Sequence, residues 1–497
     1  TLCFRWESQC VSCGEAEGTE RIRAALLAFH SHHYKPENMT VTLVGPQSLD
    51  ELQAWLAPRY GAIPSKPLEN PEGDVEKLIL EAAKDMPNYV FGGKIPDYTP
   101  AFSAELQQHQ WPILLTVKPL SSMRKISLNF PLPPVRHLFN CSPTRLLSHL
   151  LGHEGPGSSF AILQSAGLLT SLSAGSRISG PDQTLFQIEL SLTEEGEKEW
   201  KTVVALLLEH CRLIAQETNL QLHWDEMRTL SEIQFNNSSP GQAYGFAPGL
   251  ASSIVSFGTE SSQSAGYLLD KKVPNAQEFA SFMKPENCMV ERCSNEAWEE
   301  MEAMTQFAEG FGKKSEQWYD IEYYVAPIEE YTSWVSMTPT TLLDPSKLSL
   351  PKENRFIPRT LELVDELPAE AKQGPHIEKP IDPPNLVVSN AVGRLWHRLD
   401  DRYALPKSSL NFFIRNAAVE HSLQDGEWQY DPSASIHSTM LTSVFTQALA
   451  QETYDADLAG LHWSLSSSTT GTRIVCSGYS DRLGDLAIKL LRDFLDG

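Results

Sequence analysis

Residues 166–173 (AGLLTSLS) and residues 459–466 (AGLHWSLS) agree at six of eight positions. Each copy follows a helical stretch, and each precedes an apolar strand, a polar helix-start residue and an amphipathic helix. The copies stand about 290 residues apart, far beyond the period of a stacked solenoid. They therefore mark related domains and not units of an array. A chain that repeats helix, strand and helix in this way is predicted to be α+β.

Three segments share one local grammar. Residues 39–45 (MTVTLVG) are β-rich and lead into Ser48-Leu-Asp-Glu51, a capping-box pattern that opens a helix through Leu56. Residues 186–192 (FQIELSL) alternate apolar and polar side chains as a half-buried strand does. Thr193 then caps a helix that carries Trp200, Val203, Val204, Leu207, Leu208 and Cys211 at helical spacing. Residues 473–478 (RIVCSG) form the third strand, and Asp481 begins a helix with Leu483, Leu486, Leu490, Leu491 and Phe494 on one face.

Proline marks the connections. Residues 64–74 combine three prolines with charge, residues 326–353 hold four, and residues 368–384 hold five. The first two stretches read as linkers and the third as a long loop inside the last region. With 497 residues the chain has room for about three domains.

Charge and cysteine usage exclude several functions. Forty basic against 63 acidic residues give a formal charge of −23, which repels nucleic acid and anionic lipid. The longest apolar runs, such as residues 203–208, fall far short of a membrane span of about 20 residues. Neither a nucleic-acid nor a membrane partner is expected. Eight cysteines in so long a chain do not make a disulfide framework. Cys10 and Cys13 have knuckle spacing, but no second pair follows. Residues 1–20 contain Glu7, Glu15, Glu17 and Glu20 and lack the apolar core of a signal peptide. A reducing, cytoplasmic setting is the expectation, with an organelle open if a presequence precedes Thr1.

The most informative stretch for chemistry is residues 148–158 (SHLLGHEGPGS). His149 and His153 are four apart, so both imidazoles leave one face of a helix, as two ligands of a zinc ion would. Hydrolysis also needs a third ligand, an open position for water and a base beside that water. In an HxxEH arrangement the glutamate between the histidines supplies the base. Gly152 stands at that position and can neither take a proton nor orient water. The pair thus either binds zinc without a base or closes the helix end by local hydrogen bonds. His30, His32 and His33 cluster at the end of another apolar helix, where a helix-terminus role suits them better than metal. None of the fourteen histidines begins HxxEH or HExxH, and no GxSxG, GxxxxGK[ST] or GxGxxG occurs.

From about residue 20 to the C-terminus the chain resembles the insulinase (M16) family of zinc metallopeptidases. Residues 27–34 (LAFHSHHY), 43–51 (LVGPQSLDE), 149–158 (HLLGHEGPGS), 317–319 (QWY), 354–358 (NRFIP) and 456–461 (ADLAGL) carry the likeness, together with Leu395, Trp396, Asp400 and Asp401. The resemblance implies insulinase-type half-modules, each a mostly antiparallel sheet covered by helices, four of them enclosing a chamber. By that likeness residues 20–63 are the tail of a first, catalytic module and residues 75–325 a second, non-catalytic one. Residues 326–353 then link the halves, and residues 354–497 make an incomplete third module. Residues 1–19 carry no likeness and are expected to be an unrelated or misread leader.

The zinc site of the family, HxxEH plus a downstream glutamate, would precede Thr1, so no catalytic or metal-binding residue is expected here. The His149 helix resembles the second module's counterpart of the zinc helix. In the family this region is an exosite that grips the N-terminus of a peptide. The matching positions are His149, Gly152, Glu154, Leu172, Ser173, Ala174 and Gly175. An exposed strand edge offers backbone pairing to an extended peptide, while Glu154 can meet its α-ammonium group. The expected function is an insulinase-type endopeptidase acting on peptides, present as a partial chain that holds substrate but does not cut it. The alternative is a genuine non-catalytic subunit that binds peptides, or pairs with an active M16 partner or a second copy of itself.

Overall fold

The structure, a computed structural model, describes residues 36–63, 112–179, 184–238, 241–307, 311–316, 319–328, 342–363, 383–400, 405–415, 422–424, 427–429, 432–468 and 470–496, together with residues 23, 26, 30 and 34. The leader, the Cys10/Cys13 pair, His32, His33, the linker at 64–74 and almost all of the loop at 368–384 lie outside the described residues. The chain divides into two compact units, one of residues 1–103 and 240–265, the other of residues 104–239 and 266–497.

The described helices are α1 (Leu49–Tyr60), α2 (Pro143–Leu151), α3 (Ser159–Ser165), α4 (Glu194–Lys198), α5 (Trp200–Gln216) and α6 (Gln221–Asn236). They continue with α7 (Ala243–Ser261), α8 (Ala276–Ser281), α9 (Asn295–Glu302), α10 (Pro432–Leu458) and α11 (Ser480–Asp496). The smaller unit holds α1 and α7. Ser48 opens α1 with a full capping box: the Glu51 N–H donates to Ser48 Oγ, and the Ser48 N–H donates back to the Glu51 carboxylate at 3.0 Å. The helix runs four residues past the predicted Leu56, to Tyr60. Residues 39–45, predicted as a strand, form none. Met39, Val41, Leu43 and Val44 are exposed there. A strand exists through the hydrogen bonds of a neighbour, and no described residue supplies one.

The larger unit is built on a seven-stranded sheet of β1 (Ile113–Val117), β2 (Lys125–Leu132), β3 (Leu169–Ser179), β4 (Thr184–Leu192), β5 (Met289–Cys293), β6 (Gly312–Ser315) and β7 (Glu322–Pro327). Their order is β3-β4-β2-β5-β1-β7-β6. Every pairing is antiparallel except β1 with β5. Strand β5 therefore sits between β1 and β2, which are neighbours in sequence. A buried ion pair anchors it. Arg292 of β5 meets Glu197 of α4 at 2.7 Å, its guanidinium lies 4.6 Å from the Trp200 ring centroid, and Ser294 Oγ donates to the same carboxylate. Strand β7 continues two residues into the stretch predicted as linker, because Ala326 and Pro327 pair with Leu114 and Ile113.

The remaining strands are β8 (Asn385–Ser389), β9 (Arg394–His397), β10 (Lys407–Arg415), β11 (Ser422–Gln424), β12 (Glu427–Gln429), β13 (His462–Ser468) and β14 (Gly471–Tyr479). β10, β14 and β13 form an antiparallel sheet, whereas β8–β9 and β11–β12 form separate ladders. The fold is α+β with mostly antiparallel sheets, as the sequence predicts. The predicted strands 186–192 and 473–478 fall within β4 and β14, and Thr193 Oγ accepts the Gly196 N–H at 3.0 Å to start α4.

The internal repeat has a physical meaning. In both copies a helix ends at a glycine with positive φ, Gly167 at 71° and Gly460 at 76°. Gly167 N–H donates to Gln164 O and Leu168 N–H to Leu163 O. Gly460 N–H donates to Asp457 O and Leu461 N–H to Ala456 O in the same pattern. This is the Schellman helix stop, which satisfies terminal carbonyls and buries the following leucine. Leu168 and Leu461 are both fully buried. A hairpin and a helix follow in each copy, β3–β4 with α4 and α5, and β13–β14 with α11.

Two hydrophobic cores result. The larger packs α2, α3, α5 and α8 onto the seven-stranded sheet, and the smaller packs α10 onto β13 and α11 onto β14. Helix α6 serves both, with Trp224 in the first and Ile233 in the second.

Replacing either helix-stop glycine by alanine forces an L-residue into left-handed backbone, at about 1–2 kcal/mol. Gly460→Ala is expected to cost more than Gly167→Ala. A Cβ at 460 would lie 3.1 Å from the Tyr479 ring, whereas the space beside Gly167 is open. Urea unfolding of the two variants checks the order.

Candidate functional site

Helix α2 is a helix because Pro143 starts it at the first turn and Leu146, Leu147, Leu150 and Leu151 bury one face. Gly152 closes it, its N–H donating to Ser148 O at 2.9 Å. A Cβ at this position would come to 2.8 Å from that carbonyl oxygen and 3.8 Å from Ala174 of β3. The tight approach is to the helix's own carbonyl, while Ala174 of β3 would stand at ordinary van der Waals distance, so a side chain at 152 is resisted by the helix end itself. Gly175 stands just beyond, with Ser148 Oγ 3.6 Å from where its Cβ would be.

Among the described residues, strand β3 is the end strand of the sheet and pairs with β4 alone. Leu172 faces Leu190, Ser173 faces Glu189, Ala174 faces Ile188 and Gly175 faces Gln187. Leu172 is buried, Ser173 exposed, and Ala174 and Gly175 partly exposed. Register shifts flank this stretch, between Leu169 and Ser171 and between Ser176 and Ile178. Such bulges bend a strand at a sheet edge. The four residues therefore form a short regular run whose outer backbone edge has no strand partner among the described residues.

The two histidines do different things. The Gly155 N–H donates to His153 Nδ1 at 3.0 Å, so the ring proton sits on Nε2, 3.3 Å from Asp455 Oδ1 of α10. Tyr454 of the same helix stacks edge-on to His153 and donates to the Gly152 carbonyl at 3.3 Å. His153 is therefore committed at both nitrogens. His149 is half-buried and lines a cavity of about 190 Å³ with Arg145, His153, Glu226, Asn354 and Asp455. No β3 residue lines that cavity. Burial, reinforced by the neighbouring His153 and His223 rings, pushes the His149 pKa down to about 4. Glu154 is half-buried beside this pair. Burial pushes its carboxyl up, His153 counters this, and Asp457 adds to it.

Of the seven residues singled out in sequence, Gly152, Ala174 and Gly175 come together at the helix–strand contact, and Leu172 and Ser173 continue the same strand. His149 turns into the cavity instead. Sequence reasoning missed Tyr454 and Asp455, which hold the end of α2 from 302 residues away. It also missed Asn354, whose side chain donates to the Asp455 carbonyl and whose N–H donates to the Glu226 carboxylate. No local pattern marks such contacts.

The residues present do not fit zinc. His153 has both nitrogens engaged, position 152 carries no ligand or base, and among the described residues no group of three His, Cys, Asp or Glu could hold a metal. Nor, among them, is any helix long and apolar enough to cross a membrane.

Residues 21–228 match the family model described as the peptidase M16 inactive domain, and residues 235–496 the one described as the middle or third domain of peptidase M16. The chain is 29% identical over 472 residues to mug138 of Schizosaccharomyces pombe, a candidate zinc protease, covering 95% of this chain and 42% of that one. It is 25% identical to the A-factor-processing enzyme of Saccharomyces cerevisiae over 96% of its length, and to the insulin-degrading enzyme of Homo sapiens over 95%, spanning 40% of each. The chain thus spans about two-fifths of the length of these curated relatives. The solved structure of pitrilysin shares the fold, with a TM-score of 0.62 and 21% identity over 90% of this chain and 41% of that one.

A third imidazole near His153 gives the region a pH dependence. His210 of α5 is fully buried, lies 2.7 Å from Ser159 Oγ, and its Nε2 has no hydrogen-bond partner among the described residues. Burial, then the neighbouring His153 ring, holds its pKa down at about 4 against an ordinary 6.5. Between those pH values the unfolded chain binds the proton and the folded chain does not. Stability therefore falls as pH falls, by up to about 1.4 kcal/mol per pH unit for this ring. Urea unfolding from pH 7 to 4.5 measures the slope. His210→Asn, which keeps a polar partner for Ser159, is expected to flatten it; unchanged slopes would remove His210 as the cause.

Proposed function

The chain belongs to the peptidase M16 family, and from that premise we propose that its larger unit grips extended peptides for a zinc endopeptidase without performing the cleavage. One observation carries the reading. Beside Gly152 the sheet ends in the run Leu172, Ser173, Ala174 and Gly175, whose outer edge has no strand partner among the described residues, with the half-buried carboxyl of Glu154 next to the same helix end. A free strand edge adds an extended peptide by backbone hydrogen bonds. Glu154, raised by burial, is favoured in its charged form when an α-ammonium group arrives.

Other features support the non-catalytic half of the proposal. The matched family description for residues 21–228 is an inactive domain, and glycine occupies the place of a base. Zinc belongs, on this reading, to the complete family enzyme. Peptides are the proposed partner. A cytoplasmic setting is part of the proposal and rests on unpaired thiols at Cys141, Cys211, Cys288, Cys293 and Cys476.

Fluorescence anisotropy with two peptides of one sequence, one free and one acetylated at its N-terminus, tests the grip. The free peptide is expected to bind more tightly, and Glu154→Gln to erase most of the difference, about tenfold for a charge-assisted contact. Equal binding of both peptides would sink the proposal. Incubating the pure chain with peptide should release no fragments; cleavage that a chelator stops would overturn the non-catalytic half.

A further inference from the structure

The turn that joins α2 to α3 contains a bond that a proton can open. His153 stands just past the Gly152 cap, and its ring is buried. Its Nδ1 accepts the N–H of Gly155, itself buried, at 3.0 Å. The ring lies so close to that backbone that a Cβ at 155 would come within 2.5 Å of its Cε1. Glu154 is the residue between acceptor and donor, so this bond closes a small loop around it. Beyond the loop the turn is fastened again: the Gly157 carbonyl accepts the Ser349 N–H at 3.0 Å, and Ser158 caps α3.

On the far side of the ring Nε2 stands 3.3 Å from Asp455 Oδ1 of α10. An imidazole with its proton on Nε2 satisfies both neighbours. A proton from solvent can add only at Nδ1, whose lone pair the Gly155 N–H already uses. The imidazolium would then set one N–H against another, while its charge strengthens the contact with Asp455. A buried N–H without an acceptor is costly, so the loop must turn the Gly155 amide away and carry Glu154 with it. Arg145 of α2 and Lys352 oppose a positive ring; Asp455, Glu226 of α6 and Glu154 favour one, with Asp457 of α10 beyond Glu154. Burial holds His149 of α2 and His210 of α5 at about 4 and lowers His223 of α6 in the same direction. It pushes Tyr454, edge-on to His153, up to about 12.

We propose that protonation of His153 opens the Gly155 bond, displaces Glu154 and so releases a bound peptide, leaving the grip closed near neutral pH and open in mild acid. This rests on the peptide grip proposed above and adds its regulation. Imidazole is the side chain whose charge changes between about pH 5 and 8, and here the change falls on an atom that holds the backbone. Linkage makes the effect reciprocal: a peptide that needs Glu154 in place holds the proton off His153.

Anisotropy titrations of the full chain with the free-amine peptide at pH 7.5 and 5.5 test it, with circular dichroism verifying the fold at both. Wild-type affinity is expected to fall about tenfold at the lower pH. His153→Asn puts an amide oxygen where Nδ1 accepts and cannot take up the proton, so most of that fall should disappear. Protonation of Glu154 itself would weaken both proteins alike and would vanish with the acetylated peptide. Asp455→Asn removes the charge that favours the imidazolium; it should move the fall to lower pH, and it serves if His153→Asn does not fold. Hydrogen exchange at the Gly155 amide, corrected for the intrinsic effect of pH, reads the switch without peptide. Protection should drop at pH 5.5 in the wild type and persist in His153→Asn. Equal affinity ratios in wild type and variant, or a Gly155 amide still protected at pH 5.5, would each overturn the proposal. Absence of peptide binding at pH 7.5 would strike the grip itself, and the amide measurement would then decide the His153 step alone.

Discussion

Helix α6 belongs to two hydrophobic cores at once, and the arrangement of the larger unit depends on that. Its first half buries Trp224 in the larger core, where the indole N–H donates to the Asp270 carbonyl at 3.2 Å. Its second half buries Ile233 against the core around α10, α11 and β14. Apolar burial has no direction of its own. A rigid helix shared by both cores supplies one, because neither can shift along it without uncovering the other. Glu226, between these halves, takes the Asn354 N–H at 2.8 Å and so fixes where the chain enters its last region.

From that placement follows the candidate site. Asn354 donates to the Asp455 carbonyl, Asp455 faces His153, and Tyr454 reaches the Gly152 carbonyl. The end of α2 is thus held from the α10 side by polar contacts and faces Ala174 of β3 at ordinary packing distance. Polar contacts at this depth contribute little net energy each, but leaving any one unmet would be costly. Their role is to specify one geometry. The exposed run on β3 can then be short, since its position is set by what surrounds it.

What the sequence made legible was local. The capping box at Ser48, the cap at Thr193 and the strands later found as β4 and β14 depend on residues within a few positions of one another. The internal repeat was legible for the same reason, because a helix stop needs only a glycine, a leucine and the carbonyls before them. Residues 39–45 show the limit: their β-rich composition suits a strand, yet pairing is a property of two segments, and one cannot announce the other. The sequence pattern put His149 and His153 on one helix face, but the helix stops at Leu151 and His153 lies beyond its Gly152 cap, so the two rings have separate roles. That division comes from Gly155 and Asp455, one beside the ring and one in another region of the chain. Gly152 was readable as a missing base, and its contact with Ala174 only from the fold.

The insertion of β5 between β1 and β2 has a consequence for how the protein is made. A ribosome releases β1 and β2 early and almost together, whereas β5 emerges only after α2 through α8 have been synthesised. Until then the two early strands face a tempting but wrong partner, each other, joined by a connection short enough for a hairpin. The nascent chain must keep that gap open, or reopen it, while a long loop closes. Completion of the sheet is therefore a late event in synthesis, and the Arg292–Glu197 pair is the clasp that records its arrival.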